Sequence, residues 1–380
     1  MVFKAPANAP TVSPRLVWLG VAGVVAVAAV LAATAYGRGT LPPELRDPGA
    51  LVRWGYGIAQ TLQNTAAAAT IGALVFAASI IPPEVRSPGR RTPWRKDPDT
   101  APARAREHPA FTRIMVLAST ASALWALSAM AVLVFSFSDI TGVAVSGSSE
   151  FASQLASYVT ELPTGTAWLW VVIISASVST MTFGLRSRGG LAAAAILALA
   201  GLLPVILIGH AAGGTDHEQA INSLGLHLVG VCLWLGGLIA LTVGGTAFGK
   251  DTAAVLERFS ALAGFAFVLV VASGIVNAAI RIDFPAGLAS PYGVLLLGKT
   301  AAALILGAVG FLHRKRLIPG LALKSDAGTN TKLLWRFVVV ELLIMGAVSG
   351  LAAALSRTPP PGGEDTRPAL TQAEILTGYL

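Results

Sequence analysis

Long apolar runs separated by short polar stretches dominate the pattern of this chain. Each run has about 20 residues, and a helix of that length, rising 1.5 Å per residue, crosses a hydrocarbon core of about 30 Å. A transmembrane β-barrel would instead show short segments of alternating polarity. The pattern predicts an all-α, polytopic membrane bundle of about nine transmembrane helices. The predicted spans are 16–36, 55–81, 114–137, 166–185, 191–211, 221–245, 259–280, 292–312 and 333–355.

The first apolar run has two interpretations. It follows a short basic start, and Ala33-Thr34-Ala35 resembles a cleavage site, as in a secretory signal peptide. Its length of about 20 residues is long for a signal core and suits a membrane span. We therefore favour an uncleaved first helix.

Lysine and arginine are distributed unevenly between the two predicted faces. With the N-terminus inside, twenty of the 27 lie on the inner side and six on the outer side, while Lys299 lies within a span. Inner loops of membrane proteins carry the excess of basic residues. The count predicts an inside N-terminus and an outside C-terminus, with a basic cytoplasmic loop at 82–113.

Composition excludes several classes of function. The chain is 54% hydrophobic and only 12% charged, against about 25% charged residues in soluble domains. Its net charge of +8 lies in loops between spans, which predicts membrane lipid and no nucleic acid as a partner. No P-loop, GxSxG or HExxH motif occurs. We expect no enzyme.

Histidines lie near one end of two neighbouring spans. His210 ends the fifth span, His227 lies about two turns inside the sixth, and His217 lies in the loop between them. Imidazole is rare in a bilayer, and its usual roles there are ligand binding and proton transfer. These three residues are the candidate metal ligands, although a histidine that only bonds a neighbouring helix remains open.

Other polar residues have similar predicted depths. Those that would line an outward-facing pocket beside the histidines are Gln60, Asn64, Trp234 and Asn277. Lys299 and Glu341 are deep charges, and we expect them to pair or to find polar partners such as Asn277 or Ser349.

Spacing does not identify the ligand of this pocket. Two imidazoles suit copper, zinc, iron or nickel, and Cu(I) accepts a further soft sulfur, for which Cys232 and Met130 have suitable depth. Two histidines at one membrane face could equally hold haem b axially.

The second half of the chain resembles the copper resistance protein D family of bacterial inner-membrane proteins. The motifs that carry the resemblance are Gly209-His210-Ala211, Trp234-Leu235-Gly236-Gly237-Leu238, Arg258-Phe259-Ser260, Ala272-Ser273-Gly274, Tyr292-Gly293 with Lys299, His313-Arg314-Lys315-Arg316, Glu341 and Thr358-Pro359-Pro360-Pro361. The resemblance implies a copper ion as ligand and copper uptake or delivery across the cytoplasmic membrane.

The resemblance also predicts how the chain is organised. Residues 1–190 hold four N-terminal spans, 191–358 hold the copper-resistance-like spans, and 359–380 form a linker-like tail. The tail resembles the junction to a cytochrome c oxidase assembly domain in longer relatives. Three explanations agree with such a tail: a natural short form, a processed fragment, and a truncated form of a longer protein. An assembly or accessory role for oxidase subunits is therefore a further alternative.

Overall fold

The computed structural model describes residues 14–37, 47–82, 108–208, 217–282, 284–312, 314–315, 327–358 and 361. Throughout this part of the chain the regular structure is helical, with no strand. The α-helices, numbered α1 to α11 in chain order, are Pro14–Gly37, Ala50–Val75, Pro109–Thr141, Ser149–Glu161, Pro163–Gly184, Arg188–Ala200, Leu203–Leu207, His217–Gly244, Thr252–Arg281, Pro291–Leu312 and Ala327–Leu355.

The predicted spans correspond to helices of the structure. Eight helical stretches in the described residues are long and apolar enough to cross a membrane. One of them, Glu218–Arg281, has 64 residues and holds both the sixth and the seventh predicted span. A 3₁₀ segment, Gly245–Asp251, joins α8 to α9 there, and Gly249 within it has a φ of 52°. The prediction of a helical bundle with about nine spans is confirmed.

The fifth predicted span, 191–211, is not one helix. Helix α6 ends at Ala200, and a separate short helix, α7, begins at Leu203. Pro204 lies in the first turn of α7, and it has no N–H with which to continue the ladder of α6. The apolar pattern hides this break because both helices are equally hydrophobic.

The outer loop between the third and fourth spans contains a helix that the pattern did not predict. Helix α4 begins after Ser148, whose side chain accepts a hydrogen bond from the N–H of Phe151 at 3.1 Å. Its buried Phe151 and Tyr158 pack on Phe137 of α3, with ring centroids 5.2 and 5.5 Å apart. This helix therefore forms a cap over the outer end of α3.

Helix α2 lies at the centre of the bundle. Its inner half is almost completely buried against α3 and α8, and the run Ala66 to Ala69 keeps its surface small. Close approach to α8 requires glycine, since a Cβ on Gly236 would lie 1.8 Å from the carbonyl oxygen of Ala68. Helix packing in membranes depends on such small residues because water supplies no hydrophobic drive between helices.

The two ends of the bundle are held by different polar contacts. At the end predicted to face inward, Arg188 and Arg258 donate to the carbonyl oxygens of Ile81 and Ile80, at 3.3 and 3.1 Å. A π-helical turn, Phe76–Ile80, continues α2. Cationic groups at the C-terminal end of this turn stabilise its unpaired carbonyls.

At the opposite end, Arg357 pairs with Asp139 at 2.5 Å and stacks over the ring of Tyr56, 4.4 Å from its centroid. These contacts join the ends of α11, α3 and α2, which surround the site described next.

Candidate functional site

A cavity of about 1740 Å³ lies between α2, α3, α8, α9, α10 and α11. We call it the outer cavity, because its walls come from the halves of these helices that the basic-residue count places outside. Its described walls include Gln60, Gln63, Asn64, His227, Cys232, Trp234, Asn277, Lys299, Met345 and Ser349. The structure thus brings together polar residues from five helices that are far apart in sequence.

Most of the residues predicted for the pocket line this cavity. Those that do are Gln60, Asn64, His227, Trp234, Asn277 and Lys299. Lys299 shares the cavity with Asn277 and Ser349, its expected polar neighbours. His210 lies outside the described residues, and His217 begins α8 with a side chain outside them, so their place relative to His227 stays a prediction.

A hydrogen-bond chain on α9 orients His227. Its Nδ1 lies 3.1 Å from Oγ of Ser273, and that hydroxyl lies 2.5 Å from the carbonyl oxygen of Leu269. A serine hydroxyl has one proton, and we assign it to a backbone carbonyl, that of Leu269 at 2.5 Å rather than that of Val270 at 3.1 Å. Nδ1 of His227 then donates to Ser273, and Nε2 carries the lone pair. A neutral imidazole with a free lone pair is the metal-binding form.

The α9 side of the cavity leaves room beside the imidazole. A Cβ placed on Gly274 would meet only Cε1 of His227, at 4.0 Å. Asn277 is held one turn further on, where its Nδ2 donates to the carbonyl oxygen of Ser273 at 3.0 Å. Gly274 and Asn277 therefore leave space on the α9 side of His227, while Val270 of the same helix also contacts the imidazole through its backbone.

Soft sulfur atoms line the same cavity. Cys232 and Met345 are both buried at its wall, on α8 and α11. The expectation for Met130 was wrong, because its side chain is 48% exposed and does not line the cavity. Met130 lies within α3, as its predicted depth requires, but its side chain points away from the bundle. Met345 was missed because no periodicity distinguishes a cavity-facing methionine from a packed one.

Gln63 lies one turn from Gln60 on α2 and lines the same cavity. It is 2% exposed, and its buried Oε1 has no hydrogen-bond partner in the described part of the chain. An unsatisfied buried carbonyl costs roughly 1–3 kcal/mol. Because Gln63 lines the outer cavity, water or a bound ligand there would satisfy it.

Glu341 and Lys299 line different cavities. Of the two expectations, a mutual pair or separate polar partners, this arrangement favours separate partners. Glu341 is buried at a smaller cavity of about 260 Å³, here called the inner cavity, lined also by Ser260 and Arg314. The expectation of a mutual pair used axial depth alone, and the two side chains face different spaces.

Trp234 and Leu306 separate the two cavities, because both side chains line each of them. Trp234 packs edge-on against Phe267 of α9, with ring centroids 5.4 Å apart. An apolar barrier therefore lies between the outer cavity and the inner cavity.

Basic residues outnumber acidic ones at the outer cavity. The described charged residues of its wall are Arg53, Arg281, Lys299 and Arg357, with Asp47 and Asp139. Arg53 pairs with Asp47, and Arg357 with Asp139. The other two basic residues, Lys299 and Arg281, lie close enough to each other to interact electrostatically. Lys299 also lies close enough to His227 to affect it electrostatically.

The described residues contain no group of three or more histidine, cysteine, aspartate or glutamate side chains that could hold a metal ion. The outer cavity instead offers one oriented imidazole and two sulfur atoms on its wall. Such a set is suited to soft Cu(I), which accepts two or three nitrogen and sulfur ligands.

Comparison with known proteins identifies the family. Residues 253–355 match the family Copper resistance protein D, and residues 45–218 match the Copper resistance protein D-like N-terminal domain. The second match includes α2 to α7, where the sequence was interpreted only as additional spans. Together the two matches cover most of the chain.

A curated relative supports the same assignment. The chain is similar to Inner membrane protein YebZ of Escherichia coli (strain K12), with 26% identity over 213 residues, which are 53% of this chain and 73% of the relative. No solved structure matches the chain. The two family matches, the helical bundle and this inner-membrane relative show that the chain belongs to the Copper resistance protein D family and is a multi-pass protein of the bacterial cytoplasmic membrane.

Proposed function

We propose that this chain takes up or delivers copper across the cytoplasmic membrane, and that the outer cavity receives the ion. His227 is the first ligand, and His210 approaches it from the segment between α7 and α8. His217 begins α8 and lies ten residues, or about 15 Å along the helix axis, from His227, which is too far for the two imidazoles to bind one ion. Cu(I) is the species that the outer cavity favours, because imidazole nitrogen, thiol and thioether are all soft or borderline ligands.

The observation that carries the proposal is the hydrogen bond between His227 and Ser273. It leaves Nε2 as the free nitrogen, in a cavity whose wall also holds Cys232 and Met345. A second residue that orients a ligating histidine typically contributes 10- to 100-fold to metal affinity. A polar side chain such as His227 costs free energy inside a bilayer, and a role as a metal ligand would explain its presence there.

Passage inward would require a movement at Trp234 and Leu306. Both are at most 8% exposed and close the route between the outer and inner cavities. Beyond them, Glu341 supplies a carboxylate on the inner side. Copper would bind in the outer cavity first and cross the barrier only when α8 and α10 move apart.

Binding of Cu(I) by the purified full chain, in competition with a coloured chelator, tests this proposal. We expect Ser273→Ala to weaken binding roughly 10-fold and His227→Ala to weaken it more. Cells that produce the His227→Ala protein should also accumulate less copper.

Asn222→Ala is a matched control, since Asn222 is an exposed polar residue on the same helix that does not line the cavity. Unchanged copper binding and accumulation in the folded His227→Ala protein would contradict the proposal. The visible spectrum of the same sample separates the haem alternative, which requires a Soret band that disappears with His227.

A further inference from the structure

The described basic residues of the outer half of the protein lie in one place. Three arginines assigned to the outer side are described, and all three, Arg53, Arg281 and Arg357, line the outer cavity. Lys299, which lies within a span, lines it too. With four basic residues against Asp47 and Asp139, the wall carries two positive charges in excess.

The excess charge belongs to Lys299 and Arg281. Within the described residues neither side chain takes part in a hydrogen bond or an ion pair, while the other two basic residues each have a carboxylate partner. Two neighbouring cations that have no counter-ion among the described residues are unfavourable at the edge of a bilayer. An anion between them would remove that cost.

The outer cavity also opens sideways between α9 and α10. Ile275 and Leu304 line the cavity and are nevertheless 66% and 65% exposed, so they belong to the cavity wall and to the outer surface of the bundle at once. Both lie well inside apolar helices, where the surroundings are lipid tails. The opening therefore faces the hydrocarbon region, whereas Arg281 is the last residue of α9, where the predicted span ends.

We propose that the outer cavity binds one anionic phospholipid. Its phosphate would lie between Lys299 and Arg281, and one acyl chain would pass along Leu296, Ala303 and Leu304 of α10. Lysine suits such a position because its apolar stem can remain in the hydrocarbon region while the ammonium reaches toward the surface. The charge excess selects an anionic headgroup, and the lateral opening selects a ligand that arrives from the bilayer.

This site shares the outer cavity with the copper proposal but uses different ligands, Lys299 and Arg281 rather than His227. The two would nevertheless influence each other. A positive charge near His227 disfavours a bound copper ion, and a phosphate at Lys299 would reduce that repulsion.

Native mass spectrometry of the delipidated full chain in neutral detergent tests the site. Phosphatidylglycerol, which is anionic, should bind as a single copy and more tightly than zwitterionic phosphatidylcholine. Lys299→Met and Arg281→Gln should each weaken phosphatidylglycerol binding about five-fold, since one basic residue near an anionic headgroup contributes about 1 kcal/mol. Lys299→Arg should retain binding, because it keeps the charge.

Two further variants separate the lipid site from general effects. Lys250→Gln removes an exposed cation from the opposite end of the bundle and should leave binding unchanged. Ala303→Phe keeps every charge but fills the acyl path, and it should also weaken binding. Equal binding of the two lipids, or equal binding of phosphatidylglycerol by the Lys299→Met and unaltered proteins, would overturn the proposal. Displacement of the lipid by millimolar inorganic phosphate would overturn it as well, because the site would then be one for a free anion.

Discussion

The hydrogen bond between Ser273 and Nδ1 of His227 could not be predicted from the residues alone. The sequence places His227 on the face of its helix with Gly230 and Trp234, and that face does turn toward the outer cavity or α9. The hydrogen-bond partner, however, is 46 positions away on the next helix. Periodicity relates residues within one helix and carries no information about the rotation of its neighbour.

Tyr158 provides a prediction about pH at the residue scale. Its hydroxyl lies 2.9 Å from Oγ of Ser136, and burial raises its pKa from 10.0 to about 12, although the hydrogen bond opposes that shift. A raised folded-state pKa contributes stability that is complete below pH 10 and is lost as the pH rises through about 12. The free energy of unfolding should therefore fall over this interval.

Tyr158→Phe should flatten that fall and should lower the stability at neutral pH by about 1 kcal/mol, because the hydrogen bond to Ser136 is lost. Thermal unfolding of the two proteins in detergent at a series of pH values measures both effects. Parallel curves for the two proteins above pH 10 would show that Tyr158 does not titrate as expected.

Helix contacts in this protein depend on where glycine lies. Gly230 lets α9 approach, since a Cβ there would lie 3.0 Å from the carbonyl oxygen of Ala266, as its position in the sixth span predicts. Helices α1 and α11 make a similar contact, in which Cβ atoms on Gly346 and Gly350 would lie 2.5 and 2.3 Å from carbonyl oxygens of α1. Small residues therefore determine which helices pack most closely.

Gly236→Ala is a prediction at the scale of one helix pair. The added methyl group would overlap the backbone of α2, which cannot rotate away as a side chain could. We expect the substitution to force α2 and α8 apart and to cost about 1–3 kcal/mol. The midpoint of thermal unfolding in detergent should fall accordingly.

Gly23→Ala is the matched control, because a Cβ at Gly23 in α1 would meet nothing within 4 Å. Alanine stabilises a helix interior by about 0.5–1 kcal/mol relative to glycine, so this variant should be at least as stable as the unaltered protein. If Gly236→Ala behaves like Gly23→Ala, the contact between α2 and α8 is looser than described.

Across the whole molecule, the two ends of the bundle differ in character. One end holds the outer cavity with its polar wall, while the other holds the inner cavity and the arginines that bind the C-terminal carbonyls of the α2 region. The copper proposal requires the outer cavity to open away from the cytoplasm. Orientation in the membrane is therefore the property of the whole molecule on which the proposal most depends.

Membrane orientation can be tested with single cysteines. In a Cys232→Ser background, Gly147→Cys and Gly184→Cys introduce thiols at opposite ends of the bundle, and a Cβ at either position meets nothing within 4 Å. Because twenty basic residues lie on one side and six on the other, we expect an inside N-terminus and an exposed outer position 147. An impermeant maleimide added to intact spheroplasts should label Gly147→Cys and not Gly184→Cys. The reverse labelling would place the outer cavity on the cytoplasmic side.

The sequence by itself determined the class of fold, the number of spans and the candidate polar residues. Hydrophobic length and charge are properties of each segment, so they can be read without knowing its neighbours. Only the tertiary structure decided that Met345 rather than Met130 lines the outer cavity, and that Lys299 and Glu341 occupy different spaces. These outcomes depend on how each helix is rotated about its axis. In a bilayer, close packing sets that rotation more than apolar burial does, because both sides of a helix are equally hydrophobic.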